Sequence, residues 1–167
     1  MRLETYMLAI AVVLTGLMAG IFFTWSNAVK PGIGKLSDIE YLSAFQSMNR
    51  VILNPSFKAL FMAAIIATII LPFLYRNQFP NTLFWLLCTS FLFYWIGVFA
   101  ITVIGNIPLN EVLDNSNLYM LSTNEIKILR TSIEAKWNNY NLIRCVSSSI
   151  SFILLIISLL LVNKEIS

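Results

Sequence analysis

Four runs of apolar residues divide the chain, and each run is long enough to cross a membrane as a helix. The runs cover about residues 6–25, 57–75, 82–104 and 146–162 of the 167. A helix rises about 1.5 Å per residue, so about 20 residues cross the ~30 Å hydrocarbon layer. The last run is at the short limit, so we expect it to continue the helix before it. The pattern predicts an all-α integral membrane four-helix bundle that forms a single domain over residues 1–167.

Two polar segments interrupt this pattern, one before the second run and one before the fourth. In the first, residues 30–35 are rich in glycine and proline and predict a turn. Ser37 then begins an amphipathic helix that ends at about Leu53. In the second segment, a helix begins at about Thr123 and continues into the last run. Both segments lie on the same side of the bundle and predict a partly helical polar cap there.

The composition supports a membrane protein and argues against nucleic-acid binding. The chain is 58% apolar and 11% charged, whereas an ordinary soluble domain carries about 25% charged residues. The net charge is only +3, and no basic stripe suits a nucleic acid. Eight of the 11 basic residues lie on the side of the bundle that carries the polar segments, which favours a cytoplasmic cap. They are Lys30, Lys35, Arg50, Lys58, Lys127, Arg130, Lys136 and Arg144.

Several kinds of chemistry have little support in the sequence. The chain has no histidine, and its two cysteines, Cys88 and Cys145, cannot form a metal site alone. We therefore predict no metal site and no cofactor. The predicted spans carry no charged residue between their ends, which argues against a proton-coupled transporter or a voltage sensor.

The distinctive polar residues collect at the cap side of the predicted spans and form the candidate site. Trp137, Asn141 and Arg144 follow i, i+4 and i+7 spacing and share one helix face. Pro108 predicts that a new segment begins beside it, with Asn106 or Ile107 as its cap. A polar mouth above an apolar floor suits a small-molecule site. The candidates for catalysis are Asn49, Asn110, Asn141 and Arg144, and those for substrate binding are Gln46, Asn106, Trp137 and Asn138.

The order of these motifs resembles that of the anthrone oxygenase-like membrane proteins. The most specific elements are Asn-Ile-Pro-Leu-Asn at 106–110 and the Trp-Asn pair at 137–138 followed by Asn141 and Arg144. The resemblance begins near Gly16 and implies a four-helix membrane bundle. It also implies oxidation of anthrones to anthraquinones by molecular oxygen, without a metal or flavin. The family has many bacterial members, and many of these have no assigned function. We therefore expect a multi-pass protein of a bacterial cytoplasmic membrane.

The resemblance also suggests roles for the candidate residues. An anthrone is easily deprotonated, and its carbanion reacts with oxygen directly. The protein then needs to bind the ring, stabilise an oxyanion and exclude water. The three catalytic candidates that are asparagines would donate hydrogen bonds to that oxyanion, Arg144 would supply charge, and Trp137 would stack on the ring. Tyr140 or Glu111 would serve as the base.

Two alternatives remain open at this level. The asparagines would serve equally well as helix caps and cross-helix bonds, with Arg144 snorkelling or paired with Glu111 or Asp114. The protein would alternatively be a non-enzymatic accessory subunit, because Gly16 and Gly20 form a GxxxG motif and the third run is rich in aromatic residues. The candidate partners are the lipid bilayer, a hydrophobic aromatic small molecule, and another membrane protein or a second copy of this chain.

Overall fold

A computed structural model describes residues 3–164, and it describes side chains for residues 3–162. Within that range the chain has no strand and consists of helices joined by short connections. Four helices are long and apolar enough to cross a membrane, and a fifth lies in the cap. This confirms the predicted all-α membrane bundle with a partly helical cap. The helices are α1 (Leu3–Ile33), α2 (Asp38–Ile52), α3 (Pro55–Leu74), α4 (Thr82–Asp114) and α5 (Thr123–Lys164).

Local capping residues set the starts of the cap helices, as predicted. The Glu40 carboxylate accepts hydrogen bonds from the Ser37 backbone N–H at 3.0 Å and from its hydroxyl at 2.6 Å. These bonds form a capping box at the start of α2 and lower the pKa of Glu40. Ser122 and Glu125 repeat the arrangement at the start of α5. Because each box satisfies orphan N–H groups within one turn, the sequence alone locates both helix starts.

Two predicted breaks are wrong, because the chain stays helical through both. Helix α1 continues to Ile33, and α4 continues through Asn106 to Asp114. In each case a stretch of π-helix, Trp25–Val29 or Thr102–Asn106, comes before the proline. Proline lacks the N–H that an α-helix interior requires, but it suits the first turn of the α-segment that restarts after a π-stretch. Asn106 accordingly makes no capping hydrogen bond.

The core consists of three apolar clusters stacked along the bundle axis. One cluster lies toward the connection between α3 and α4 and includes Leu71 and Leu87. The middle cluster includes Met18, Phe22 and Tyr94. The third packs the cap helix α2 onto the upper part of α5 and includes Phe45 and Trp137. The candidate site lies between the middle and cap clusters, since Phe22 and Trp137 both line it.

Small residues allow α4 and α5 to approach closely. The hydroxyls of Ser90 and Ser151 are 2.8 Å apart across this contact. Farther along, Gly97 faces Ser147, and a Cβ atom at Gly97 would overlap the serine side chain. Gly105 likewise leaves room for the Tyr140 ring, whose nearest atom would be 2.8 Å from an added Cβ. This seam fixes α4, and with it Thr102 and Asn106, against α5.

We expect Gly97→Ala to destabilise the protein by about 3 kcal/mol, because the new methyl overlaps Ser147 in a close-packed contact. Thermal unfolding in detergent measures the effect. The double variant Gly97→Ala with Ser147→Gly should recover most of that loss, less about 1 kcal/mol for glycine within a helix. Gly32→Ala is the control, since an added Cβ there meets nothing within 4 Å. Equal loss in Gly97→Ala and the double variant would contradict this account of the seam.

Candidate functional site

A cavity of about 890 Å³ lies at the cap end of the bundle. Its inner wall comes from α4 and α5 and is mainly polar, with Thr102, Asn106 and Arg144 among its residues. Its outer wall comes from α1, from α2 and from the first turns of α3, and it is mainly apolar. The cavity is therefore an apolar chamber with one polar wall, which is typical of a small-molecule site.

Arg144 is the charged residue of the polar wall, and it is only 6% exposed. One terminal nitrogen donates to Asn141 Oδ1 at 3.0 Å, and the other lies 3.4 Å from Thr102 Oγ1. The guanidinium carbon lies 4.6 Å from the Phe22 ring centroid and 5.2 Å from that of Trp137. The buried Nε–H of Arg144 has no hydrogen-bond partner in the described residues. The guanidinium has five N–H donors, so the two contacts above leave others unused, the closed-off Nε–H among them.

No carboxylate of the described residues neutralises Arg144. The expected pairing with Glu111 or Asp114 is wrong, because Asp114 pairs with Arg50 and Arg144 takes part in no ion pair within residues 3–162. Within the part of the chain whose side chains are described, Lys58, which is exposed, is the other charged residue that lines the cavity. A buried charge without a counter-ion costs several kcal/mol. The electrostatics therefore favour an anionic ligand.

Asn141 orients the guanidinium and connects α5 to α1. While its Oδ1 accepts from Arg144, its Nδ2 donates to the Phe22 carbonyl at 3.1 Å and to Ser26 Oγ at 3.0 Å. Phe22 lies just before the π-stretch of α1, so Asn141 holds that stretch against α5. Since both of its polar atoms are engaged, Asn141 positions Arg144 and has no donor left for a ligand.

Asn110 is held so that its donor remains available. Its Oδ1 accepts from the Trp137 indole N–H at 2.6 Å and from Asn49 Nδ2 at 3.2 Å. Two donors at one oxygen fix the orientation of the amide. The Nδ2 of Asn110 makes no hydrogen bond within the described part of the chain, and Asn110 lines the cavity. Asn110 and Arg144 thus each keep an unused donor in this wall.

Asn106 adds an acceptor to the same wall. It is 1% exposed, and its Nδ2 lies 3.4 Å from the Trp137 carbonyl. Its buried Oδ1 has no hydrogen-bond partner among residues 3–162. Buried amides are normally paired, so this unpaired oxygen is an unusual feature of the wall.

The other two candidates for substrate binding, Gln46 and Asn138, do not line the cavity. Gln46 donates to the Leu113 carbonyl at 2.8 Å and holds the end of α4 against α2. Asn138 accepts from the Trp25 indole N–H at 2.8 Å. Trp25 in turn packs on Trp137, with ring centroids 4.4 Å apart. Both amides therefore support the wall from outside. The cavity lining brings together the other six candidates, Asn49, Asn106, Asn110, Trp137, Asn141 and Arg144.

Neither candidate base lines the cavity. Glu111 is exposed, one residue beyond Asn110, and the ring of Tyr140 packs on Gly105. Among the residues that the structure describes, no group of three or more histidine, cysteine, aspartate or glutamate side chains is placed to hold a metal ion. The polar groups of this wall are amides, a threonine hydroxyl and a guanidinium.

Sequence reasoning missed several residues of the site because the π-stretches were not foreseen. Trp25 lies in the first of these stretches and Thr102 in the last, and both line the cavity. Single π-turns are rare and are often found at functional sites. The sequence could have indicated Thr102 as a site residue, because it precedes Asn106 by four residues and so shares its helix face. Nothing in the local sequence indicated Ser26.

These features define a helical membrane protein with a cavity suited to an amphipathic anion. A family model described as "Anthrone oxygenase" matches residues 48–154, which is more than half of the chain. The chain belongs to the anthrone oxygenase family. The matched range includes all six candidates that line the cavity, while Gln46 and helix α1 fall outside it. No curated protein and no solved structure matches the chain.

Proposed function

We propose that the cavity binds a hydroxylated aromatic compound of the anthrone type as its anion and promotes its oxidation by molecular oxygen, without a protein-bound cofactor. The observation that carries this proposal is the buried Arg144, which faces the cavity without a carboxylate partner among the described residues. An enolate oxygen supplies the missing negative charge, and the apolar walls suit its rings.

The chemistry balances with oxygen as the sole oxidant. Loss of a proton from the ring carbon opposite the carbonyl gives a carbanion whose charge is shared with that carbonyl oxygen. The carbon gives two electrons to oxygen and forms a C–O bond, and protonation yields a hydroperoxide. Loss of the second proton from the same carbon breaks the O–O bond and releases water. The carbon becomes a carbonyl, so one substrate and one oxygen molecule give one quinone and one water.

The wall residues favour the ionised substrate. The free Nδ2 of Asn110 is a donor for the enolate oxygen, and the guanidinium of Arg144 supplies positive charge in the same wall. Such donors stabilise the anion strongly in a site that excludes bulk water. Because neither Tyr140 nor Glu111 lines the cavity, we assign the ionisation to the substrate's own acidity, increased by Arg144. The Phe22 and Trp137 rings flank the guanidinium and hold it in the wall by cation–π contacts.

We expect purified protein in lipid nanodiscs to accelerate oxygen uptake with an anthrone, in a one-to-one ratio with quinone formation. An oxygen electrode and the quinone absorbance measure the two quantities together. Nanodiscs without protein give the spontaneous rate, because anthrones also oxidise slowly by themselves. A rate no higher than that background, across anthrones with different hydroxyl patterns, would rule out this proposal.

The alternative, an accessory subunit, is less well supported. One glycine of the GxxxG motif that suggested it is used in a contact within the chain. Gly16 faces the Phe152 ring, whose nearest atom would lie 2.8 Å from an added Cβ, and Gly20 lines the cavity. The aromatic side chains of α4 partly stack on one another, as in the pair Trp95 and Phe99. We therefore favour the enzymatic proposal.

A further inference from the structure

We propose that the cavity takes its ligand directly from the bilayer, through a window between α1 and α3, and so selects an amphipathic anion that is dissolved in the membrane. The proposal specifies the substrate class of the proposed function, and the claim that this ligand is then oxidised rests on that function. Entry and binding of the ligand do not require that it is oxidised.

The window is formed by exposed apolar residues at a depth where lipid chains surround the protein. On α1 these are Leu17 and Gly20, and on α3 the residue is Met62. Met62 lies seven residues below Pro55, the first residue of α3, which is about 10 Å along the helix. Helix α3 is 20 residues long, so its length of about 30 Å matches the thickness of the hydrocarbon layer. The window therefore lies within the hydrocarbon, in the half of the membrane nearer the cap.

Gly20 marks the opening itself. Its neighbours Met18 and Ala19 are buried, whereas Gly20 is exposed. A Cβ atom added to Gly20 meets nothing within 4 Å, although Gly20 lines the cavity. This combination indicates an open passage between the chamber and the lipid at this position.

Polar contacts between α2 and α4 restrict the route from water on the cap side. Asn49 bonds to Asn110, Gln46 bonds to the Leu113 carbonyl, and Arg50 pairs with Asp114. The Trp25, Phe45 and Trp137 rings pack together beneath these contacts. Beside the exposed polar residues Ser47 and Asn54, three exposed apolar residues at the end of α2 and just after it continue the window and suit lipid better than water. They are Val51, Ile52 and Leu53.

Charge orients the ligand inside the chamber. Lys58 lies at the rim, near the membrane surface that marks the start of α3, and Arg144 lies on the inner wall. Among residues 3–162, no acidic side chain lines the cavity. A ligand with one anionic oxygen and a flat or extended apolar body therefore fits with its anion at Arg144 and its body toward Gly20. Lys58 attracts such an anion to the rim from the lipid surface.

Contact quenching of tryptophan fluorescence tests entry through the window. The chain has four tryptophans, so Trp85→Phe with Trp95→Phe leaves the two that line the cavity, Trp25 and Trp137. The protein is reconstituted in vesicles, and a dibrominated fatty acid is added as a membrane-dissolved anion. We expect quenching, and we expect Gly20→Phe in the same background to slow it by about tenfold, since the ring occupies the passage.

Gly32→Phe is the matched control, because an added Cβ at Gly32 also meets nothing within 4 Å and Gly32 does not line the cavity. If Gly20→Phe does not fold, Leu17→Trp tests the same window. Because this variant adds a tryptophan that the brominated probe would quench, the rate of entry is then measured with a dye-labelled fatty acid. Unchanged rates in the window variants would overturn the proposed route. Equal quenching by a dibrominated phosphatidylcholine would overturn the choice of an anion. Neither readout involves oxidation, so failure of the oxygenase proposal would leave both results intact.

Discussion

Replacing Arg144 with glutamine should lower the rate of anthrone oxidation by about 100-fold or more and leave the protein as stable as the wild type or more stable. The guanidinium is buried without a carboxylate partner among the described residues, so its removal relieves a desolvation penalty. Its loss also removes the positive charge opposite the ligand anion. Oxygen uptake in nanodiscs measures the first effect, and thermal unfolding in detergent measures the second.

Two further variants separate this role from a structural one. Arg130→Gln should destabilise the protein and leave oxidation largely unchanged, because Arg130 pairs with Asp38 and Glu134 in the cap. Arg144→Lys keeps the charge but lacks the planar fork, so we expect only partial activity. If Arg144→Gln unfolded at a much lower temperature and still oxidised substrate normally, Arg144 would be a structural residue.

Asn110→Asp should reduce affinity for the anionic ligand by about 30-fold to 100-fold while keeping the fold. The aspartate retains an oxygen that accepts from the Trp137 indole and from Asn49. It loses the Nδ2 donor, however, and its negative charge competes with the ligand for Arg144. Quenching of the cavity tryptophans by the dibrominated fatty acid measures the affinity.

Asn110→Ala should behave differently, because it leaves the indole N–H of Trp137 and the amide of Asn49 without an acceptor. An unsatisfied buried donor costs about 1–3 kcal/mol, so we expect a lower unfolding temperature as well as weaker binding. Asn77→Asp, on an exposed residue of the connection between α3 and α4, controls for the added charge. Wild-type affinity in Asn110→Asp would exclude Asn110 as a ligand donor.

The features that the sequence predicted correctly depend on local chemistry or on the membrane. Ser37 locates the start of α2 because a capping box needs only one turn of chain. The apolar runs identify the long helices because bilayer thickness sets their length. The periodicity of Trp137, Asn141 and Arg144 likewise indicated a common face, and all three residues line the cavity.

The features that the sequence did not predict depend on contacts between helices. A π-stretch such as Thr102–Asn106 is stabilised by what it packs against, so no local signal shows that α4 continues past Pro108. Asn138 is adjacent to Trp137 in sequence, yet it bonds to Trp25 on another helix. Spacing identifies the face of a helix but not its partner. For the same reason, the sequence did not reveal that Asn141 uses its donors on α1.

The unpaired charge of Arg144 also bears on turnover. On the proposed function, the substrate binds as an anion and leaves as a quinone whose new carbonyl carries no charge. The attraction between the guanidinium and the reacting ring therefore disappears in the step that completes the oxidation. The neutral product partitions back into the lipid beside Gly20, and the cavity is left with the same unmet positive charge that favours the next anion. On this proposal, the unpaired positive charge of Arg144 therefore contributes both to catalysis and to product release.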